Sequence, residues 1–420
     1  MSQNSAKDLL GPNIVSQEKL GRVSRNIDYE DNVKVFYSSG GSKQIGFTPQ
    51  DLDVLRSGFE QTFREAGMIP EDVAVNWGAP EGTPHMSRWC FDNGTYFIDE
   101  VVNNSVADSF DDYRDRWDEV TVLQSMPRML KSIGQQIEDE YGELKNEFPN
   151  LKMSLTAGDV MSESLRDWIE TKYGLDVVNF YAGTEFGAAA TEVEPGVYEP
   201  TNPNLTLEIL DEDTEVGENG EVSETDVYNI QDLNPKQQVT GPILFSVSHR
   251  EALPFTRYRG GDIWTVWGAE NGPRMSFEGR EDNVILYSGA NLYPEEIDDA
   301  VRNLADQDWK LVVAEKDDAV SLDFYLPEKY VDETDLADSI AEQNDTFNVW
   351  RDTGSGTATE INSQTFESWK NLEKLLEEKY ELPRDDQGNI DLINDLNGNN
   401  LKRKRIGFDQ SYFANNSSSR

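Results

Sequence analysis

The chain has 420 residues, 37% hydrophobic and 10% aromatic, which allows two or three domains with a substantial core and excludes a small stapled scaffold or a disordered polymer. Its 80 acidic against 37 basic residues give a formal charge of −43, spread along the whole chain, so nucleic acid is excluded as a main partner by repulsion from a polyphosphate. A uniformly acidic surface on a globular composition predicts a halophile's protein, because salt screens charge within ~3 Å at 1 M and makes the self-repulsion tolerable. Cys90 is the single cysteine, and His85 and His249 are the two histidines, so neither a disulfide nor a structural metal site is expected. No apolar run reaches the ~18 residues that span a bilayer, and "MSQNSAKDLLGPNIV" has neither the basic start nor the apolar centre of an export signal. The expectation is a cytoplasmic protein without a membrane partner.

Residues 1–33 are polar and weakly periodic and read as a loosely attached N-terminal arm. Lys34 to Tyr37 is a short run of β-formers, followed by the loop Ser38, Ser39, Gly40, Gly41, Ser42, Lys43 and one further short strand. Thr48 and Asp51 have the spacing of a reciprocal helix cap, and Leu52, Leu55, Phe59 and Phe63 follow at helical spacing. Backbone N–H groups of such a Gly/Ser loop can point at an anion and Lys43 can add a charge, but the stretch is not GxxxxGK[ST], so taken alone it reads first as an ordinary turn. "DVAVNW", Asp72 to Trp77, predicts a buried strand running into a Gly/Pro-rich loop. "SESLRDWIETKYG" predicts a helix capped by Ser162, with Leu165, Trp168 and Ile169 on one face and Gly174 as its stop, and "LDVVNFYAG" predicts the next strand.

This alternation predicts an α/β fold: a large domain over residues 34–282 with mixed, mainly parallel sheets, carrying ligands at the C-terminal ends of strands. Leu210 to Asp226 is an acidic stretch that reads as an exposed connection between β segments. From Asn283 the pattern changes to a small α+β domain over residues 283–420, with a helix bearing Ile297, Val301 and Leu304, two strands, and a helix in "FESWKNLEKLLEEKY".

Four segments carry chemistry. "NFYAGTEFG", Asn179 to Gly187, brings Tyr181 for stacking on a flat base, Thr184 for a phosphate and Glu185 for Mg2+ to the mouth of a strand. "TRYRGGD", Thr256 to Asp262, ends on an aspartate suited to ribose hydroxyls. "FEGREDNVILYSGANLYPEEI", Phe277 to Ile297, has Gly279 and Arg280 followed by two acids, and "NNLKRKRIGF", Asn399 to Phe408, is a dense basic cluster. Singly, these read as a strand-end turn, a surface ion-pair cluster and a solvated patch. Their joint order is more specific.

In that order the motifs resemble the phenylacetate–CoA ligase branch of the adenylate-forming superfamily, which includes acyl-CoA synthetases, firefly-type luciferases and nonribosomal-peptide adenylation domains. "SSGGSK" occupies the place of the family's lysine-bearing phosphate loop, and Ala157, Gly158 and Asp159 of "TAGDV" match its small-small-acid adenine loop. "FYAGTEFG" matches the Tyr-x-x-Thr-Glu signature, "RYRGGD" is close to Arg-Tyr-Arg-Thr-Gly-Asp, and "GREDNVILYSGANLYPEEI" matches the hinge segment. The phosphate loop is shorter than in relatives and lacks their Thr-Thr-Gly and the proline beside the lysine, and "GNNLKRKR" lacks their Pro-Arg-Ser/Thr prelude.

The resemblance implies two steps: a carboxylate reacts with ATP to form an acyl-adenylate and pyrophosphate, and the thiol of CoA then takes the acyl group. It implies Lys402 as the adenylation lysine, with Lys404 as fallback, Thr184 and Glu185 as catalytic residues, Glu185 as Mg2+ ligand, Asp262 and Arg280 at the ribose, and Asp282 as the hinge of a mobile small domain. The loop after Asn76, with Trp77, Gly78, Gly82 and His85, would line the pocket of a small aryl or aryl-acetic acid. Alternatives are another acceptor or acid, such as a carrier-protein thiol or an F420-type deazaflavin, or a non-catalytic nucleotide-binding relative; a homodimer is the candidate assembly.

Overall fold

The computed structural model describes residues 6–27, 33–37, 43–76, 96–98, 114–158, 161, 163–212, 214–281, 285–287, 290–292, 294–305, 309–316, 319–326, 330–344, 347, 360–366, 369–380, 382 and 406–408. By contact density the chain divides into two compact units: Met1–Met126 with Ile137–Gly158 and Ile169–Asp282, and Pro127–Gln136 with Asp159–Trp168 and Asn283–Arg420.

In the first unit, β1 (Lys34–Tyr37) pairs antiparallel with β2 (Gln44–Phe47). Helix α1 (Gln17–Ser24) precedes them and α2 (Pro49–Glu65) follows. Thr48 and Asp51 form the expected capping box, each accepting a hydrogen bond from the other's backbone N–H. Leu52, Leu55, Phe59 and Phe63 are buried, and Phe63 meets Phe180 edge-on with ring centroids 5.3 Å apart.

The main sheet is built from β3 (Val73–Asn76), β4 (Tyr96–Ile98), β5 (Val122–Ser125), β6 (Met153–Thr156), β7 (Asp176–Gly183), β8 (Gly187–Glu194), β9 (Val197–Pro200), β10 (Thr206–Leu210), β11 (Val227–Asn229), β12 (Gln238–Ser246), β13 (Tyr258–Ala269) and β14 (Gly272–Arg280). Its strand order is 11-10-12-13-14-9-8-7-6-5-3-4. Pairing is parallel among β3, β4, β5, β6 and the first half of β7, whose second half pairs antiparallel with β8. The mixed α/β class is as expected, while the parallel share stops at β7, because β7–β8, β8–β9 and β13–β14 are joined by short turns that can link only antiparallel neighbours. The expected helix in "SESLRDWIETKYG" spans Glu163–Tyr173, and Gly174 follows it at φ +72°.

The looseness expected of the N-terminal segment is not found in residues 6–27. Leu9, Val15, Leu20 and Val23 are buried in the core beside Phe245 and Tyr258. Val15 forms a parallel bridge to Tyr258, accepts from the Arg259 N–H at 2.9 Å and donates to the Arg257 carbonyl at 3.0 Å. A few apolar residues among many polar ones conceal the segment's packing in its composition.

The second unit contains a four-stranded sheet, ordered 17-16-15-18, of β15 (Lys310–Lys316), β16 (Ala319–Leu326), β17 (Glu360–Thr365) and β18 (Ile406–Phe408). It also contains α3 (Pro294–Leu304), α4 (Glu333–Gln343) and α5 (Trp369–Lys379), the last burying Leu372 and Leu376 against Val312 and Tyr325. Among the described residues no helix is long and apolar enough to cross a membrane.

Candidate functional site

The site lies where β7 changes from a parallel to an antiparallel neighbour. Thr184, Glu185 and Phe186 form the turn between β7 and β8, beyond the C-terminal end of the parallel half, where open α/β sheets take ligands. Gly187 makes the turn feasible: its φ is +83°, and a Cβ there would meet Leu55 of α2 at 2.4 Å.

Glu185 is buried and accepts from Lys43 Nζ at 2.6 Å and Tyr258 Oη at 3.0 Å, both at Oε1. Burial pushes its carboxyl up, but the Lys43 charge and the hydrogen bonds outweigh this and hold it below the usual carboxylate range. Lys43, buried too, also reaches Gln17 Oε1 at 3.4 Å and lies 5.8 Å from the Tyr258 ring centroid. Burial and then the Glu185 charge push the Tyr258 hydroxyl well above its ordinary value, so it stays a hydrogen-bond donor.

A second carboxylate is held beside the first. Asp262 accepts from Arg280 at 2.6 Å and from the Tyr181 hydroxyl, and Arg280 also donates to the Gly260 carbonyl at 3.1 Å. The Tyr181 ring packs on Trp264 at 4.8 Å, with Phe186 and Phe245 nearby. Burial, then the Asp262 charge, push the Tyr181 hydroxyl pKa well up. Ala157 and Gly158 follow the end of β6, with Gly158 at φ +81° and a Cβ there 3.7 Å from Met126.

The structure thus brings together Lys43, Tyr181, Thr184, Glu185, Asp262 and Arg280 from four of the motifs. In "TRYRGGD" the arginines serve otherwise: Arg257, at φ +48°, clamps Glu208 and Glu224, and Arg259 pairs with Glu281. Ser38, Ser39, Gly40, Gly41, Ser42, Trp77, Gly78, Gly82, His85, Asp159, Asp282, Lys402 and Lys404 lie outside the described residues. Sequence reasoning missed Gln17, Arg250 and Tyr258. Tyr258 was findable inside a quoted motif, whereas Gln17 carries no local signal in a polar segment.

No protein-family model matches the chain. It is 21% identical over 296 residues to the phenylacetate–coenzyme A ligase of Escherichia coli, covering 66% of this chain and 61% of that one. It is 26% identical over 159 residues to the uncharacterized acyl–CoA ligase YtcI of Bacillus subtilis, covering 36% of this chain and 28% of that one. The chain therefore spans less than two thirds of these relatives' lengths. Among solved structures, a 2-hydroxyisobutyryl-CoA ligase superposes with a TM-score of 0.62 at 15% identity, over 96% of this chain and 80% of that one. The chain has the fold of the adenylate-forming CoA ligases, and two of its sequence relatives are CoA ligases.

Proposed function

We propose that this protein is an ATP-dependent carboxylate–CoA ligase for an aryl or aryl-acetic acid. In the first step a carboxylate oxygen bonds to the α-phosphorus of ATP and the bond to pyrophosphate breaks. In the second the CoA thiol, losing its proton to solvent, bonds to the acyl carbon and AMP leaves. The observation that carries the reading is the pairing of Lys43 with Glu185 beside that of Arg280 with Asp262: two motif carboxylates far apart in sequence, each held by a cation from another motif.

The roles follow from chemistry. Asp262, paired with Arg280, can accept from ribose hydroxyls, and Tyr181 fixes its orientation. Lys43 stands ready for the β- and γ-phosphates. Glu185, deprotonated, with its side-chain donors gathered on one oxygen, together with the Thr184 hydroxyl suits Mg2+ held mainly through phosphate oxygens. Bound there, Mg2+ would neutralise charge on the triphosphate. Lys402 supplies the positive charge at the α-phosphate in the first step, and Asp282 is the hinge about which a small domain turns to remove it. The loop with Trp77, Gly78, Gly82 and His85 receives the acid. The working environment is a salt-rich cytoplasm, where a charge of −43 is screened.

The test is ATP–pyrophosphate exchange with a panel of aryl and aryl-acetic acids in multimolar KCl, followed by product release with and without CoA. Exchange with one class of acid and CoA-dependent AMP release are expected. Exchange without a CoA effect redirects the reading to another acceptor, and no exchange with any acid overturns adenylation. Lys402→Ala should abolish most exchange yet leave thioester formation from supplied acyl-adenylate intact; equal loss in both half-reactions removes that assignment.

A further inference from the structure

The segment between β12 and β13, "VSHREALPF", carries a buried arginine that none of the motifs includes. Arg250 donates through Nη1 to the backbone carbonyl of Glu185 at 2.5 Å, a charge-assisted bond and therefore a strong one. Its guanidinium also lies over the Phe47 ring, 4.4 Å from the centroid, and 5.9 Å from that of Phe255. Phe47 ends β2, the strand that begins directly after Lys43. One side chain therefore touches the strand that follows Lys43 and the residue that Lys43 pairs with.

The arginine is itself held in place. Asp51, in the first turn of α2, accepts from the Glu251 N–H at 2.9 Å and the Ala252 N–H at 3.0 Å, while Thr48 donates to the Glu251 carboxylate at 2.9 Å. Within the segment, the Val247 N–H donates to the Phe255 carbonyl and the Arg250 N–H to the Val247 carbonyl. Asp51 thereby fastens the α2 cap to the arginine's own backbone. Lys43, Glu185, Arg250 and the start of α2 form a closed circuit of contacts.

We infer that Arg250 is a positioning residue: it holds the Thr184–Glu185 turn so that Glu185 faces Lys43 and the metal–phosphate side of the site, without touching substrate. The inference rests on the adenylating reading. A carbonyl anchored by a rigid, planar donor fixes the peptide from which the Glu185 side chain departs, and a lysine keeps the charge but not the fork that spans carbonyl and ring. Arg250 thus acts on the metal and on the β- and γ-phosphates through Glu185, whereas the ribose pair Asp262 and Arg280 is bonded to Tyr181 and Gly260 and connects to the Lys43 side through Gln17.

The test uses the full chain in multimolar KCl with Arg250→Lys and Arg250→Met. Residues that orient a metal ligand typically change affinity or rate by about 10–100-fold, and that loss is expected in the kcat of exchange for Arg250→Met, with partial recovery in Arg250→Lys. Mn2+ binding in the presence of a non-hydrolysable ATP analogue, read by electron paramagnetic resonance, should weaken about tenfold. AMP affinity, measured by calorimetry, should stay at its wild-type value. Unchanged exchange and unchanged Mn2+ binding overturn the inference, and so does a parallel loss of AMP affinity, melting temperature and both half-reactions, which would mark Arg250 as only structural. If Arg250→Met does not fold, Arg250→Lys and Phe47→Leu, which removes the ring and keeps the core apolar, must show the same split between Mn2+ and AMP. Absence of exchange in the wild type overturns the adenylating reading and the inference with it; wild-type exchange with normal variants overturns the inference alone.

Discussion

Each compact unit buries a carboxylate and neutralises it with a lysine, and the two do so differently. In the second unit Asp323 has both oxygens filled: Ser321 and Asn362 donate to Oδ1 at 2.7 and 2.6 Å, and Lys379, at 2.8 Å, and Tyr380 donate to Oδ2. Lys379 keeps 47% of its side chain exposed, so its charge is partly hydrated, and three of the four side-chain donors to Asp323 are neutral groups that tie β16 to β17 and to the end of α5. In the first unit Glu185 meets a lysine only 8% exposed, and both side-chain donors share one oxygen. Among the described residues no side chain donates to Glu185 Oε2. A carboxylate saturated by neighbouring strands and helices joins them together; one held by a buried cation on a single oxygen retains coordination capacity. The difference separates a cluster that ties elements together from one that the proposed function uses for chemistry.

The largest effect should come from removing the buried cation. Lys43→Met strands Glu185 without its counter-charge and should cost about 3–5 kcal/mol in urea denaturation, together with more than about 100-fold in exchange. Lys43→Met combined with Glu185→Leu should recover most of the stability and none of the activity, since the apolar pair carries no desolvation cost. Full additivity of the two single losses would show that the residues do not interact.

At the saturated cluster the loss should be smaller and confined to stability. Asp323→Ala leaves Ser321, Asn362 and Tyr380 without their acceptor, while half-exposed Lys379 turns to water, so about 1–3 kcal/mol is expected from denaturation. AMP affinity should not change, and a matching fall in it would dissolve the contrast.

Acid separates the two further. Burial raises both carboxyls, but bonded partners outweigh it and lower both below their unfolded values. A depressed folded pKa contributes stability that is complete above the unfolded value, about 4.3 for Glu and 3.9 for Asp, and is lost as pH falls through the folded one. Urea midpoints should therefore hold from pH 7 to about 5 and fall below about 4, and Glu185→Gln should flatten that fall. An equally steep fall in the variant would assign the acid sensitivity elsewhere. The smallest effect belongs to the α2 cap: Thr48→Ala should cost about 1 kcal/mol and weaken exchange only slightly, through the loop that Asp51 holds.

Much of this architecture was legible in one dimension. The helical spacing of Leu52, Leu55, Phe59 and Phe63, the Thr48–Asp51 cap, the strand ending at Gly183 and the helix stop at Gly174 are local, because neighbours on one chain decide periodicity and capping. The order of the motifs singled out Glu185, Asp262 and Arg280, and the fold sets each of them in a paired cluster. Other features needed the folded molecule. Lys43 and Glu185 meet across 142 positions, Asp51 meets Glu251 across 200, and Gln17 reaches Gly260 across 243. Nothing in the immediate surroundings of Arg250 points to the carbonyl it holds, and nothing in the polar composition of residues 6–27 points to a segment packed beside Tyr258. The reversal of strand direction along β7 is likewise a matter of which partners lie on either side, and it creates the sheet end at which the cluster assembles. Local chain chemistry determined which residue types stand in each motif. Long-range packing decided which of them face one another, because burial of a charge is stable only where a distant part of the chain supplies its partner.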